Sequence, residues 1–392
     1  MLNFICREKI IKQLGSYNKN VDCRREEICV SLAVKNMYMK QVDIKIPAEG
    51  YNTAYQSPSN IAIVKYWGKK GEQIPANASL SLTLSECRTE TRMVVKPSHS
   101  INDDYDVTVY LDGEKKDDFV PKIKQFFARI APYAPYLTKC SVEIYTHNTF
   151  PHSSGIASSA SGMSALSMCL VDMEKNCGED MNDTEMKNRA SFYARLGSGS
   201  ASRSIYPVAA VWGQHDDYNT SSDLYAVAVE DVHPVFHTFH DTVLLIEKGQ
   251  KSVSSTVGHS LMKGHPYSVA RYEQAVTNMS KLKYIMSRGD VEAFGTLAES
   301  EALTLHAMMM TASPYYILFA PRTIEAIQLI WEARKNQGLP VYFTLDAGAN
   351  VHVLYPDSHA GSVQSFIKEK LSPLCQGGTY INDMVGSGSS EI

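Results

Sequence analysis

The sequence predicts an α+β protein of two lobes. Three observations carry this reading. Strand-like segments dominate from Val42 to Val109, helical and strand patterns then interleave as far as about residue 238, and after His240 the order restarts with a strand, three long helices and a further strand. A restart of this kind marks a second folding unit, and a chain of 392 residues can bury a sizeable core in each.

The elements follow in order. Ile61–Tyr66 is a short apolar run, and residues 79–84 alternate Ser/Leu/Ser/Leu/Thr/Leu, the period of a half-buried strand. Thr91–Lys96 and Asp106–Leu111 continue the strand pattern, and Asp112-Gly113 is a turn signal after them. Asp118–Ile130 is predicted helical, because Phe119, Ile123, Phe126, Phe127 and Ile130 share one stripe. Ser141–Tyr145 returns to strand. Ala160–Met173, rich in Ala, Leu and Met, reads as a buried helix, Asn188–Leu196 as a second, and Val208–Trp212 as a strand. In the second lobe Thr242–Glu247 is a strand, followed by helices at Ser268–Ser287, Val291–Met308 and Thr323–Lys335. Gly338-Leu339-Pro340 stops the last of these, and Val341–Leu345 is a strand. The expected division is an N-terminal extension at 1–38, a first lobe at 39–238 and a second at 239–392. Residues 1–38 mix basic and acidic side chains without an apolar run, so they do not read as a secretory signal. They read as an extension outside the working domain, or else as an added surface helix at Arg7–Leu14.

Composition narrows the function classes. The formal net charge is −4, which offers no global attraction for nucleic acid or anionic membrane, and no stretch is apolar for long enough to span a bilayer. The eight cysteines are scattered without a C-x-x-C pair, which points to reduced thiols and a cytoplasmic protein rather than a zinc site or disulfide framework. An anionic ligand would have to be held by a local cluster of donors.

Four stretches could form such a cluster. Pro151–Ala160 (PHSSGIASSA) links a strand to an Ala-rich helix, and its small residues with the helix N-terminus would cradle a polyphosphate. Read alone it fits a polar loop capped by Ser158 or Ser159 equally well. Gly197–Ser204 (GSGSASRS) sets Arg203 among hydroxyls, as a carboxylate or phosphate grip or simply as a linker. Asp346, in LDAGAN, ends an apolar strand before a Gly turn, where a carboxylate can act as a base or can merely cap the turn. Asn60–Lys70 (NIAIVKYWGKK) sets lysines beside aromatics.

Taken together and in this order, the stretches resemble the diphosphomevalonate decarboxylase family of the GHMP small-molecule kinase superfamily. NIAIVKYWGK resembles that family's opening strand, ANASLSLTL (Ala76–Leu84) its Asn-Ser-Ser-x-Ser segment, FPHSSGIASSASG its phosphate loop and GSGSASRS its Arg-bearing loop. KSVSST (Lys251–Thr256) resembles its second hydroxyl cluster, LDAGANVHVLY its catalytic Asp strand and VGSGS (Val385–Ser389) its C-terminal signature. The likeness runs from about residue 50 to the end. Departures are Pro151-His152-Ser153-Ser154-Gly155 where the family commonly has P-T-A-A-G, Ala349 where Pro is common, and Ala78 where Ser is frequent.

The resemblance implies a GHMP-kinase-like fold with the active-site cleft between the lobes, and ATP-dependent decarboxylation of mevalonate 5-diphosphate to isopentenyl diphosphate through 3-phosphorylation. A relative that acts on mevalonate or its monophosphate, as decarboxylase or 3-kinase, is the alternative. It further implies Asp346 and Arg203 as catalytic residues. Tyr66, Lys69, Asn77, Ser198, Ser200, Ser254 and Ser255 would bind substrate, and Gly155, Ala157, Ser158 and Ser159 the phosphates of ATP, with Mg²⁺ as the ion and no protein metal cage. Strand alternation leaves Lys65 facing either into the cleft or outward. Family members are usually homodimers.

Overall fold

The computed structural model describes residues 42, 44–98, 104–151, 158–249 and 255–392, excepting the side chains of 255 and 256. The expected extension at 1–38, Gly155, Ala157, Ser254 and the Ser255 side chain therefore lie outside the described residues.

Two sheets organise the chain. The first is built on β1 (Tyr51–Val64) and β2 (Ser79–Pro97), which pair antiparallel along most of their length. β3 (Asp106–Leu111) turns through Asp112-Gly113 into β4 (Glu114–Lys115); both turn residues have positive φ, 54° and 81°, as the tight hairpin requires. β5 (Cys140–Asn148) lies between β2 and β3, running parallel to β3. β6 (Ala209–Trp212) pairs with the first residues of β2 and with β7 (Ala226–Ala228).

β2 is one strand of 19 residues where the sequence pattern suggests two. Its hydrophobic alternation breaks at Ser85-Glu86-Cys87, yet the strand continues because the Asp383 carboxylate accepts all three of these backbone N–H groups, at 2.9, 2.8 and 2.7 Å. Its opening residues are also buried on both faces rather than one. Leu80, Leu82 and Leu84 face the core, and Ser79, Ser81 and Thr83 on the opposite face are equally buried.

Helices cover the first sheet. α1 (Val120–Ile130), α2 (Ser158–Cys177) and α3 (Asp183–Gly197) pack Phe126, Phe127, Leu166, Leu170 and Tyr193 against Met93, Val95 and Val142. α3 begins five residues before the expected start. Asn182 caps it by accepting from Thr184 and Glu185 N–H, and Glu185 reaches back to the cap, a box visible in N-D-T-E.

The second sheet has the order β11-β8-β10-β9, all antiparallel, from β8 (His240–Leu244), β9 (Tyr342–Thr344), β10 (Val351–Tyr355) and β11 (Tyr380–Met384). Between these strands run α4 (Ser255–Ser260), α5 (Ser268–Arg288), α6 (Val291–Met310), α7 (Pro321–Gln337) and α8 (Ala360–Phe366). α7 ends where Gly338 takes a left-handed φ of 64°, as the sequence signal indicates. The chain then returns to the first sheet: Val385 bridges Leu84, and β12 (Ser390–Glu391) pairs with β1.

One apolar core joins the sheets. Ile61, Leu80, Leu82 and Leu84 from the first pack in the same cluster as Val243 and Tyr342 from the second and Phe294 and Leu297 from α6. α6 enters this core through Gly295, where a Cβ would lie 2.0 Å from the Tyr342 ring. Gly295→Ala should therefore destabilise the fold by roughly 1–3 kcal/mol, the range for overpacking a filled core. Urea unfolding midpoints would show it; an unchanged midpoint would mean that α6 does not press on β9.

Candidate active site

The site begins at the end of β1. Lys65 is almost wholly buried, and its Nζ points to Asp346 Oδ1 at 3.4 Å. This settles the direction that strand alternation left open. Asp346 stands in the turn after β9, its side chain about one-third exposed at 32%. Burial pushes the Lys65 pKa below its ordinary value, while Asp346 and Glu301 pull it back up.

Arg203 lies on the 3₁₀ turn Gly199–Ile205 and is also buried. Its Nε donates to Ser81 Oγ at 2.9 Å and Nη1 to Ser79 Oγ at 2.5 Å. The buried serine face of β2 is thus a socket for this guanidinium. The period-2 spacing of Ser79 and Ser81 placed both on one face, a signal the sequence reading left unused. Asn60 completes the socket: its Oδ1 accepts from Arg203 Nε at 3.4 Å, and its Nδ2 donates to Ser204 Oγ at 2.8 Å and Ser200 C=O at 3.1 Å. None of these bonds uses Nη2. Burial pushes the Arg203 pKa down to about 10, with Asp346 opposing, so the side chain remains cationic at neutral pH.

Tyr66 and Trp67 follow Lys65. Tyr66 meets Trp212 edge-on at 4.6 Å, and Gly199 is squeezed beside both: a Cβ there would lie 2.7 Å from Trp212 and 3.1 Å from Tyr66 Oη. His259, on α4, stacks near Tyr66 at 4.2 Å and Trp67 at 4.8 Å, and its Nδ1 accepts the Gly68 N–H at 3.0 Å. Burial, then Lys69 and Arg203, drive its pKa down to about 3, so the ring is neutral. His306 on α6 meets Asp346 from another side, Nε2 donating to the Asp346 carbonyl at 3.1 Å. Sequence reasoning missed Asn60, Ser79, His259 and His306; the two histidines carry no local pattern.

The remaining expected residues fall as follows. Asn77 is buried and donates to the Lys65 and Ala78 carbonyls at 3.0 and 2.8 Å. Its Oδ1 and the Tyr66 hydroxyl have no hydrogen-bond partner among the described residues. Two orphaned polar atoms in one small region fit a polar ligand site. Ser198 and Ser200 are half-buried at the entry to the 3₁₀ turn. Lys69 is half-buried; its Nζ donates to Gln73 Oε1 at 2.5 Å, and burial followed by Arg129 lowers its pKa. Ser158 and Ser159 open α2, where Ser159 Oγ accepts from Lys122 Nζ at 2.9 Å. Among the described residues, no group of three or more His, Cys, Asp or Glu side chains is placed to hold a metal ion, and no helix is long and apolar enough to cross a membrane.

Comparison with known proteins places the chain in a family. Residues 57–225 match the diphosphomevalonate decarboxylase-like N-terminal domain, and residues 242–388 match the mevalonate 5-diphosphate decarboxylase C-terminal domain. The diphosphomevalonate decarboxylase of Debaryomyces hansenii is 27% identical over 339 residues, covering 82% of this chain and 84% of its own. The crystal structure of mevalonate diphosphate decarboxylase from Staphylococcus aureus superposes with a TM-score of 0.75 at 27% identity, over 88% of this chain and 98% of that one. A structure of MDDEF in complex with MVAPP, AMPPCP and magnesium gives 0.73 at 26% identity, over 88% and 99%. Between them the two domain matches take in most of the chain from β1 to β11, and every motif quoted above from β1 onward lies inside or beside them: the chain belongs to the diphosphomevalonate decarboxylase family.

Proposed function

We propose that this chain catalyses the ATP-dependent decarboxylation of mevalonate 5-diphosphate to isopentenyl diphosphate. The observation that carries the reading is the partly exposed Asp346 carboxylate set against the buried Lys65 and within the field of Arg203. A tertiary alcohol leaves carbon poorly, so it must first be made a phosphate ester. Asp346 accepts the proton of the 3-hydroxyl as its oxygen attacks the γ-phosphorus of ATP and ADP departs. The 3-phosphate then leaves with the C–O electron pair. Positive charge builds at C3, the C1–C2 bonding pair becomes the new C2=C3 double bond, and carbon dioxide is released.

Each residue has a task in that sequence. Arg203, through the Nη2 that its socket leaves unused, holds the substrate carboxylate where its bond can break toward C3. Tyr66, Lys69, Ser198, Ser200, Ser254 and Ser255 bind the diphosphate, and Asn77 lies against the substrate. Gly155, Ala157, Ser158 and Ser159 hold the ATP phosphates. When bound, Mg²⁺ neutralises those phosphates; it usually keeps several waters and takes one or two carboxylates, a mode that needs no protein cage. The buried cations and the orphaned Tyr66 hydroxyl, a donor, suit such a polyanion.

We further propose a cytoplasmic homodimer. Cys87, Cys140, Cys169, Cys177 and Cys375 are free thiols, which suits a reducing compartment, and Tyr315 and Ile317 offer exposed apolar surface to a second copy. Light scattering should return twice the mass of one chain; the mass of a single chain would remove the dimer.

The activity is tested by incubating the protein with ATP and, in turn, mevalonate, its monophosphate and its diphosphate, measuring both ADP and carbon dioxide. Equal amounts of both with the diphosphate are expected. ADP without carbon dioxide would identify a kinase instead. Asp346→Asn should lower kcat by about 10²–10⁴-fold, the usual worth of a positioned general base, and leave substrate affinity nearly intact. Near-normal turnover would remove the role given to Asp346.

The neutral His259 gives a pH prediction. Its folded pKa, about 3, lies below its ordinary 6.5. Between those values the unfolded chain binds a proton that the folded chain refuses, so this stability is complete above pH 6.5 and is lost as pH falls toward 3. His259→Asn keeps an acceptor for Gly68 and cannot titrate. Its unfolding free energy should fall with acid less steeply than wild type, by about 1.4 kcal/mol per pH unit. Parallel slopes would show that His259 is not held neutral.

A further inference from the structure

α6 touches both members of the Lys65–Asp346 pair, at two different points. Glu301, fully buried, accepts the backbone N–H of Lys65 on Oε2 at 2.9 Å. The same carboxylate is gripped by Arg271 of α5, at 3.0 Å from Nη1 and 2.5 Å from Nη2, and by Asn278 at 2.6 Å. Arg271 Nη2 also donates to the Lys65 carbonyl at 3.3 Å, where Asn77 Nδ2 donates too. Both backbone polar groups of Lys65 are therefore fixed by one buried ion pair. A bidentate pair of this kind has a fixed fork geometry, so it transmits position as well as charge.

Five residues further along α6 stands His306. Five steps of an α-helix advance about 7.5 Å and turn about 140°, so Glu301 and His306 leave the helix toward different neighbours. His306 is buried and stacked on Phe319, with centroids 4.1 Å apart and an interplanar angle of 8°, which holds its ring plane. Its Nε2 donates to the Asp346 carbonyl. An acceptor on that side requires the proton on Nε2, so the hydrogen bond fixes the tautomer as well as the turn. Burial keeps the ring neutral, its pKa lowered to about 4.

We propose that Glu301, clamped by Arg271, and His306 are positioning residues: α6 is one rigid element that reaches both Lys65 and Asp346 and holds them at their working separation. Neither residue is assigned contact with substrate. Each acts through the backbone of the group it holds. This inference rests on the proposed activity for its kinetic consequence, but its geometric consequence stands independently of it.

His306→Phe keeps the ring and the stack on Phe319 while removing the N–H, and His306→Gln restores a donor near the Nε2 position. With mevalonate 5-diphosphate and ATP, His306→Phe should lose roughly 10- to 100-fold in kcat, as a small misplacement of a reacting group does, with both KM values changed less than about threefold. His306→Gln should recover most of that loss. In the crystal structure of His306→Phe, the Lys65 Nζ to Asp346 Oδ1 distance should lengthen beyond 3.4 Å. Glu301→Gln leaves Arg271 against a neutral partner and endangers folding, so Arg271→Lys is the companion variant for that end: it keeps the charge, loses the fork, and should lower kcat more than it raises KM. Unchanged kcat in His306→Phe with an unmoved pair would overturn the proposal, as would a Gln variant no better than Phe. Absence of carbon dioxide from the wild type would instead overturn the activity, while the variant's crystal structure still decides the positioning.

Discussion

An ammonium group removed from water costs several kcal/mol unless something replaces its hydration. Lys65 is in that position: its side chain is 2% exposed, and among the described residues the ion pair it makes is with Asp346. The residue after β1 is the lysine and the turn after β9 supplies the aspartate, so the pair ties the first sheet to the second. The shared core of Ile61, Leu80, Val243 and Phe294 sets the distance between those sheets. Packing precision in that core is thus converted into the separation of two charged groups. The close seat of Gly295 on Tyr342 matters for the same reason, since it fixes the depth at which α6 enters.

The fold was legible in elements that carried their own period or stop, although the cap box at Asn182–Glu185 went unread and α3 was placed five residues late. The helices at α1, α5, α6 and α7 were read within a few residues because their stripes and stops are local, as at Gly338. β2 was read as two strands because what unites it is Asp383, nearly three hundred residues away. β11 and β12 were not read from periodicity at all. Both are short and are held by pairing with strands distant in sequence.

The candidate site shows the same division. Asp346 and Arg203 stand out in the sequence because each sits in a motif whose order along the chain is informative. The geometry brings both into the surroundings of Lys65, whose pKa responds to each. Glu301, Arg271 and His306 were invisible because an acid, a base and an imidazole on long helices look like ordinary surface residues until their burial is known. The serines of β2 were read as the polar face of a half-buried strand, and only the presence of Arg203 above them explains why that face is closed to water.

The way these cations are neutralised argues for an anionic ligand. Arg271 is matched by the carboxylate of Glu301, so its charge is spent inside the protein. Arg203 is held by hydroxyls and an amide, and Arg195, also buried, donates to the carbonyls of Leu224, Glu72 and Gln73. Neutral acceptors satisfy hydrogen bonds without cancelling charge. Lys65 meets one carboxylate that it shares with the field of Arg203. The region therefore keeps a local excess of positive charge inside a chain whose formal net charge is −4. At low effective dielectric that excess acts strongly on whatever enters. A substrate bearing a carboxylate and a diphosphate balances it, and a neutral metabolite would leave the cost of burying those cations unrecovered.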